Sequence, residues 1–163
     1  MVSGKKISNS RVQMAEIVLP NDANTHGNML GGRVMHLIDI AASMSAVRHC
    51  RKPVVTVSVD SLDFRYPIKV GHMILLRASV NFTHDTSMEI GVRVESEDPL
   101  TGDRFHTSSA YLTFVALDKN GRPTTVPSVE PETEIEIKRY KAAEERRAYR
   151  LENISKGKTE KNS

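Results

Sequence analysis

One segment near the amino terminus constrains this chain more than any other: a polar loop, rich in glycine, that runs directly into an apolar helical pattern. The loop spans residues 20–32, and the helical pattern continues over residues 33–46. Gly31 and Gly32 stand at the junction, where the chain can turn sharply and another molecule can approach the backbone. The first N–H groups of a helix lack intrahelical acceptors and carry partial positive charge. They therefore suit a polarised carbonyl or a developing oxyanion.

Asp39 lies inside this helical pattern, whose apolar residues recur at the spacing of a helix buried on nearly all sides. Burial disfavours a charged carboxylate unless donors or cations stabilise it. Asp39 therefore reaches the helix edge, or bonds a neighbouring hydroxyl such as that of Ser43, or is a catalytic carboxylate. Asn24 in the loop also has two interpretations, because asparagine side chains commonly anchor turns. The apolar positions of the pattern are Val34, Leu37, Ile38, Ala41, Met44 and Ala46.

The rest of the chain alternates apolar and polar residues, which predicts strands over residues 11–19, 54–64, 72–82, 88–96 and 104–117. In the second of these, Val55, Val57 and Val59 form the buried side of a half-buried strand. The last three strands are joined by short turns and predict an antiparallel meander. One long early helix without a βαβ rhythm indicates an α+β fold whose sheet wraps around that helix.

The two ends of the chain differ from this central region. We expect residues 1–9 to be disordered, residues 129–154 to contain a largely solvated helix, and residues 155–163 to form a disordered tail. Positive and negative charges alternate along the tail helix, and no aromatic residues line up for base stacking. The tail therefore does not indicate nucleic-acid binding, and the net charge of +3 permits an anionic ligand without requiring one.

Several other classes are excluded by what the sequence lacks. Cys50 is the only cysteine, so no internal disulfide can form, which is typical of a protein in a reducing cytoplasm. We interpret Cys50 as a small buried hydrophobic residue. No apolar run has the length of a membrane span or the character of a signal peptide. The six histidines show no metal-ligand spacing, and the glycine-rich phosphate loop and the serine nucleophile elbow are both missing.

Residues 19–32, followed by Met35 and residues 37–39, closely resemble the cytosolic acyl-CoA thioesterases of the hotdog fold. The same resemblance continues through residues 54–60, Phe64, residues 67–71, 112–118 and 121–123. It covers about residues 10–128 in the correct order and spacing, and implies one hotdog domain there. Hotdog domains pair edge to edge into dimers, and members of this family commonly assemble as trimers of dimers.

The resemblance implies an acyl-CoA thioesterase that releases a free fatty acid and CoA in the cytoplasm, with no cofactor, no metal and no membrane insertion. Asn24 and Asp39 are expected to meet from opposite subunits. Asp39 takes a proton from the attacking water, or attacks the thioester carbonyl itself. Asn24 positions the water or the carbonyl, and the backbone N–H groups near Gly31 and Gly32 polarise the carbonyl oxygen.

Coenzyme A carries phosphates and a pantetheine arm with amide groups, so it requires basic and hydroxyl side chains. The candidates for these contacts are Thr56, Ser58, Arg65, Thr86, Ser87, Arg93, Arg104 and Arg122.

Two other functions stay open. One is a non-catalytic acyl-CoA-binding or sensing module, which the presence of both Asn24 and Asp39 disfavours. The other is an acyl-CoA hydratase that uses an aspartate and a histidine, for which Asp22 and His26 have nearly the required spacing. His26 is also a candidate proton donor to the leaving thiolate.

Overall fold

The structure is a computed structural model that describes residues 3–161, with side chains described through residue 157. The chain forms seven strands, two α-helices and two short 3-10 helices, at Ile7–Ser10 and Pro20–Asp22. In chain order the strands and α-helices are β1 (Lys5–Lys6), β2 (Val12–Ile17), α1 (Gly31–Cys50), β3 (Val54–Val59), β4 (Met73–His84), β5 (Ser87–Glu97), β6 (Arg104–Ala116), β7 (Val129–Glu130) and α2 (Glu134–Lys161).

Five strands form one antiparallel sheet in the order β2-β4-β5-β6-β3. Strands β4, β5 and β6 are the predicted meander, and their inward residues, among them Leu76, Ile90 and Leu112, are fully buried. This face packs against α1, so the predicted α+β class, with a sheet around one long helix, is confirmed. A small parallel pair, β1 with β7, lies outside the main sheet.

Helix α1 buries one face only, which corrects the expectation of a helix enclosed on nearly all sides. The buried face carries Leu37, Ile38 and Ala41 against the sheet, whereas Met35 is 48% exposed on another face. The apolar pattern was broad enough to suggest full burial, but within one subunit the sheet covers only one side of the helix. The rest of the helix surface is open in the single chain.

The expected buried side of β3 is also exposed. Val55, Val57 and Val59 are 41%, 55% and 47% exposed, because β3 is an edge strand that pairs only with β6. A bulge at Val57 interrupts the pairing between Thr56 and Ser58. The strand therefore presents a free backbone edge and three exposed valines to whatever lies beside it.

Both ends are more ordered than the sequence suggested. Within the expected disordered segment 1–9, strand β1 and the first 3-10 helix form, and the Ile7 side chain is buried in the core. Helix α2 begins at Glu134 and continues to Lys161, so residues 155–161 are helical instead of a disordered tail. The predictions for residues 1–2 and 162–163 lie outside the described residues.

Helix α2 lies on the outer face of the sheet and is anchored by Arg146. The Arg146 guanidinium donates two hydrogen bonds, at 2.7 Å and 3.1 Å, to the carboxylate of Glu89 and lies 3.7 Å from the ring centre of Tyr111. Nearer its amino end, Tyr140 meets Phe82 edge to face. No helix among residues 3–161 is long and apolar enough to cross a membrane.

Candidate active site

The loop before α1 holds Asn24 by the oxygen of its own side chain. Oδ1 of Asn24 accepts hydrogen bonds from the backbone N–H of His26, at 3.0 Å, and of Asn28, at 3.2 Å. This is the turn-anchoring role that the sequence allowed. Because Oδ1 is occupied, the exposed Nδ2 group, which has no acceptor among residues 3–161, is free to donate to another molecule.

The first residues of α1 present free backbone donors. The N–H of Leu30 donates to the carbonyl of Asp22 at 2.9 Å, but those of Gly31 and Gly32 have no acceptor in the described part of the chain. The Arg33 side chain donates to Oδ1 of Asp22 at 3.1 Å, which ties the loop to the first turn of the helix. The geometry therefore presents two N–H groups at the positive end of a helix of 20 residues.

Asp39 is half-buried two turns further along α1, and its partner is Thr56 on β3. The Thr56 hydroxyl donates to Oδ1 of Asp39 at 2.7 Å. Ser43, the neighbour that the sequence suggested, instead donates to the carbonyl of Ile40 at 2.9 Å. Asp39 thus has one carboxylate oxygen held by a hydroxyl, while Oδ2 has no partner within residues 3–161.

The two parts of the candidate site are separated along the helix. Asp39 is eight residues after Gly31, and at 1.5 Å per residue their Cα atoms lie about 12 Å apart. A catalytic carboxylate and an oxyanion donor must both come within about 3 Å of the same reacting group. The free N–H groups and Asp39 of one subunit therefore cannot act on the same carbonyl.

The bulge at Val57 separates two residues that the sequence placed together in a coenzyme A site. Thr56 is opposite Phe114, which faces the core, so Thr56 points towards α1. Ser58 is opposite Thr113 and faces outwards, where it lines a groove beneath α2. Because the bulge reverses the alternation of side chains, Thr56 and Ser58 lie on opposite faces of the sheet. One subunit therefore does not present both of them to the same pantetheine arm.

The remaining coenzyme A candidates lie in separate regions of the subunit. Thr86 lies in the turn between β4 and β5 and Ser87 is the first residue of β5, at the same end of the sheet as Arg122. Arg104 begins β6 at the opposite end, and Arg65 lies in the loop between β3 and β4. The structure does not bring these side chains together within one chain.

Arg93 faces outwards from β5 and lines a concavity of about 450 Å³ on the outer face of the sheet. Three more arginines, Arg11, Arg77 and Arg139, line the same concavity, and Gly91 lies on its floor. The guanidinium of Arg93 is 3.7 Å from the carboxylate of Glu95. Arg93 is therefore on the side of the sheet opposite to α1 and Asp39.

Two contacts near the site were missed from the sequence. One is the Thr56–Asp39 hydrogen bond, which joins positions 17 residues apart and has no local signal. The other is Phe64, whose ring lies against Gly31: a Cβ at Gly31 would be 3.5 Å from the ring atom Cε2. An aromatic residue in a loop gives no indication of which helix end it will meet.

Perturbed titratable groups lie near the far end of α1, away from Asp39. Burial lowers the pKa of His49, whose Nε2 is 2.8 Å from the carbonyl oxygen of Pro127. Burial also raises the pKa of the Cys50 thiol, in keeping with the expectation of a small buried hydrophobe. No group of three or more metal-ligating side chains occurs within residues 3–161.

Comparison with known proteins shows which family this chain resembles in sequence and in fold. The family model of the thioesterase superfamily matches residues 26–102. A Bacillus subtilis protein, the uncharacterized acyl-CoA thioester hydrolase YkhA, is 44% identical over 137 residues, which are 84% of this chain and 80% of that protein. A solved apo-hexameric acyl-CoA thioesterase has a TM-score of 0.91 at 40% identity and covers 94% of this chain and 98% of its own.

An acyl-CoA hydrolase from Staphylococcus aureus, solved in complex with butyryl coenzyme A and coenzyme A, has a TM-score of 0.85 at 37% identity over 95% of this chain and 97% of its own. Structures of that protein with single alanine replacements of an asparagine, an aspartate and a threonine are also known. Those three positions have the same spacing as Asn24, Asp39 and Thr56. These matches confirm the hotdog fold, and the chain belongs to the acyl-CoA thioester hydrolase family of the thioesterase superfamily.

Proposed function

We propose that this chain hydrolyses acyl-CoA thioesters to a free fatty acid and CoA at a site shared by two subunits. The observation that carries the proposal is the pair of half-sites on α1. At the start of the helix, the N–H groups of Gly31 and Gly32 have no acceptor among the described residues. About 12 Å away, Asp39 is held by Thr56. Each half lacks what the other offers, and a thioester hydrolase needs both.

A homodimer supplies the missing half. The free edge of β3 and its exposed valines suit edge-to-edge pairing with a second copy of the chain, which would continue the sheet. Thr56 lies on that edge strand and Asp39 lies beside it, so pairing at β3 brings Asp39 towards the partner. By two-fold symmetry each dimer then has two sites, each combining Asn24 and the glycine N–H groups of one subunit with Asp39 of the other.

The chemistry follows from the donors and acceptors of the two halves. The amide Nδ2 of Asn24 and the backbone N–H groups polarise the thioester carbonyl and stabilise the oxyanion that forms when the carbonyl is attacked. Asp39 takes a proton from water, which adds to the carbonyl carbon; the intermediate then expels the CoA thiolate, which is protonated as it leaves. Thr56 fixes Oδ1 of Asp39 and leaves Oδ2 to act. In the covalent route, Oδ2 itself attacks the carbonyl carbon, the C–S bond breaks and CoA leaves as the thiolate, and water then hydrolyses the mixed anhydride.

Similarity to relatives supports the substrate class. The Staphylococcus aureus hydrolase binds butyryl coenzyme A, and its three replaced residues share the spacing of Asn24, Asp39 and Thr56. The predicted coenzyme A contacts, including Arg65, Arg104 and Arg122, stay proposals for the assembled protein. A trimer of dimers is proposed from the hexameric thioesterase of the same fold. A cytoplasmic location is proposed from a relative named cytosolic acyl coenzyme A thioester hydrolase, and catalysis without a cofactor or metal stays a proposal.

The hydratase alternative is disfavoured by the bonding of Asp22. Its Oδ2 accepts the N–H of Leu19 at 3.2 Å, and its Oδ1 accepts the side chain of Arg33 at 3.1 Å. Both oxygens thus stabilise the loop, so the spacing of Asp22 and His26 does not form a free acid–base pair. A module that only binds acyl-CoA has no need of a carboxylate that a hydroxyl holds in position. The Asp39–Thr56 pair therefore favours hydrolysis over sensing.

Thiol release from a panel of acyl-CoA esters tests the proposal. We expect the wild type to release thiol from at least one ester, and folded Asp39→Ala and Asn24→Ala to lose about 100-fold or more of that rate. Asp103→Ala and Asn120→Ala, whose exposed side chains precede and follow β6, are the matched controls. Binding of acyl-CoA without thiol release would favour the sensing module, and hydration of crotonyl-CoA would favour the hydratase.

A further inference from the structure

Phe64 lies directly over the start of α1. A Cβ at Gly31 would be 3.5 Å and 3.6 Å from ring atoms Cε2 and Cζ of Phe64, which is ordinary van der Waals contact. Gly32, the next residue, has no atom within 4 Å of its own Cβ position. The two free N–H groups are therefore bordered by an aromatic ring at Gly31 and are open at Gly32.

The backbone on both sides of Phe64 is fixed by β6. The N–H of Asp60 donates to the carbonyl of Tyr111, and the N–H of Arg65 donates to that of Thr107, both at 2.9 Å. These bonds fix the backbone at both ends of the segment that carries Phe64, and its ring lies against Gly31, yet Phe64 is 47% exposed. A large apolar side chain that lies on a helix end and is left half-exposed is available to contact another molecule.

The surroundings of the ring are apolar. Leu30, which precedes the glycine pair, is 46% exposed, and Met35, one turn further on the same face of α1 as Gly31, is 48% exposed. The nearest basic side chain on the helix, Arg33, is engaged by Asp22. Of the two groups attached to a thioester carbonyl, the acyl chain is the apolar one, whereas CoA carries amides and phosphates.

We infer that Phe64 forms the wall of the acyl pocket and restricts this enzyme to short acyl chains. This inference rests on the proposed function, since it assumes a thioester carbonyl bound by the N–H groups at Gly31. The first acyl carbons then lie beside the ring, and further methylene groups meet its face. Phe64 is thus a specificity-determining residue and not part of the bond-breaking machinery.

Replacement of Phe64 should change the ratio between substrates and not merely the rate. The measurement is kcat/KM for acetyl-, butyryl-, octanoyl- and dodecanoyl-CoA, below micelle-forming concentrations, with wild type and Phe64→Ala. Apolar pockets discriminate by about 10- to 200-fold per methylene, so we expect the octanoyl-to-butyryl ratio to rise about tenfold or more in Phe64→Ala. Phe64→Trp should lower the same ratio, and Phe64→Leu, which is smaller but apolar, should raise it less than alanine does.

Phe105→Ala is the matched control. Phe105 is exposed to nearly the same extent, 49%, but its ring packs on Tyr66, with centroids 5.8 Å apart. Its substitution should leave the ratio within about twofold of wild type. Circular dichroism and thermal unfolding identify any variant that fails to fold, in which case the leucine and tryptophan variants decide.

Two results would overturn the inference. One is an unchanged octanoyl-to-butyryl ratio in all folded variants. The other is an equal loss for every substrate, which would place the ring against CoA or give it a structural role. If the wild type hydrolyses no acyl-CoA at all, the proposed function fails first, and that result is visible before any Phe64 variant is compared.

Discussion

Mixing two inactive variants should restore activity if each site is shared between subunits. The structure places Gly31 and Gly32, with their free N–H groups, about 10–12 Å from Asp39 on the same helix, so one subunit cannot offer both to one carbonyl. An Asn24→Ala subunit still has a complete Asp39 half, and an Asp39→Ala subunit still has a complete Asn24 half. A mixed dimer therefore contains one site with both residues intact and one site with neither.

The expected recovery follows from this geometry. When equal amounts of the two variants associate at random, half of the dimers are mixed, and each mixed dimer has one of its two sites intact. The mixture should thus recover about a quarter of wild-type activity by two-fold symmetry. The value is the same in a trimer of dimers, because each site still lies between the two subunits of one dimer. The intact sites of the mixed dimers have the same residues as wild-type sites, and only their number is lower. The KM of the mixture should therefore equal that of the wild type.

The assay is thiol release after the two variants are unfolded together in urea and refolded by dilution. Each variant refolded alone gives the background, and refolded wild type gives the scale. Mass spectrometry of the intact dimers, with one variant isotopically labelled, measures the mixed fraction directly. If mixed dimers form but activity does not exceed the background, then Asn24 and Asp39 act within one subunit and the distance argument fails.

Three further predictions follow from side-chain contacts. Thr56→Val removes the hydroxyl that donates to Asp39; because a hydrogen bond to a charged group is worth about 1.5–3 kcal/mol, kcat should fall about 10- to 100-fold. Thr56→Ser, which keeps the hydroxyl, should keep most of the wild-type kcat, and equal kcat in the two variants would refute this. Arg146→Met leaves the buried Glu89 carboxylate without its cation and should lower the free energy of unfolding in urea by about 3 kcal/mol, partly recovered when Glu89→Gln is added. A loss below about 1 kcal/mol would mean that the pair behaves as an exposed one. Burial lowers the pKa of His49, so the unfolded chain binds a proton there that the folded chain does not, and stability should fall as the pH drops below about 6.5. His49→Gln should flatten this pH dependence in urea unfolding, and parallel plots of unfolding free energy against pH for wild type and variant would contradict it.

Much of the fold could be predicted because its signals are local. Strict alternation in β5, for example at Ile90 and Val92, specifies one buried face, and short turns on either side leave an antiparallel meander as the simple arrangement. The glycine pair at the start of an apolar pattern also located the beginning of α1 correctly. These features depend on residues that are close together in the chain, and for this reason they can be predicted from the sequence.

The contacts of the candidate site depend on packing between distant segments. Ser43, one turn away, is one of the partners that the sequence allows for Asp39, but β3 runs beside α1 and offers Thr56 instead. Ser58 was grouped with Thr56 by alternation, yet one bulged residue, Val57, places Ser58 on the other face of the sheet. A shift of a single residue reverses every side chain that follows, and no residue type at position 57 announces it.

The apolar residues that were wrongly predicted to be buried lie on two elements, β3 and α1. Val55 and Val59 on β3 are apolar at positions that alternate as a buried face would, yet the single subunit leaves them exposed, as it does Met35 and Met44 on α1. An apolar pattern records the environment in which the protein functions, and that environment includes any second copy of the chain. The exposed edge of β3 is next to Thr56, which holds Asp39, so the apolar surface left uncovered and the incomplete half-site lie side by side. One event, the pairing of two β3 edges, would cover the valines and complete the site, and this is the strongest physical reason to expect that the monomer is inactive.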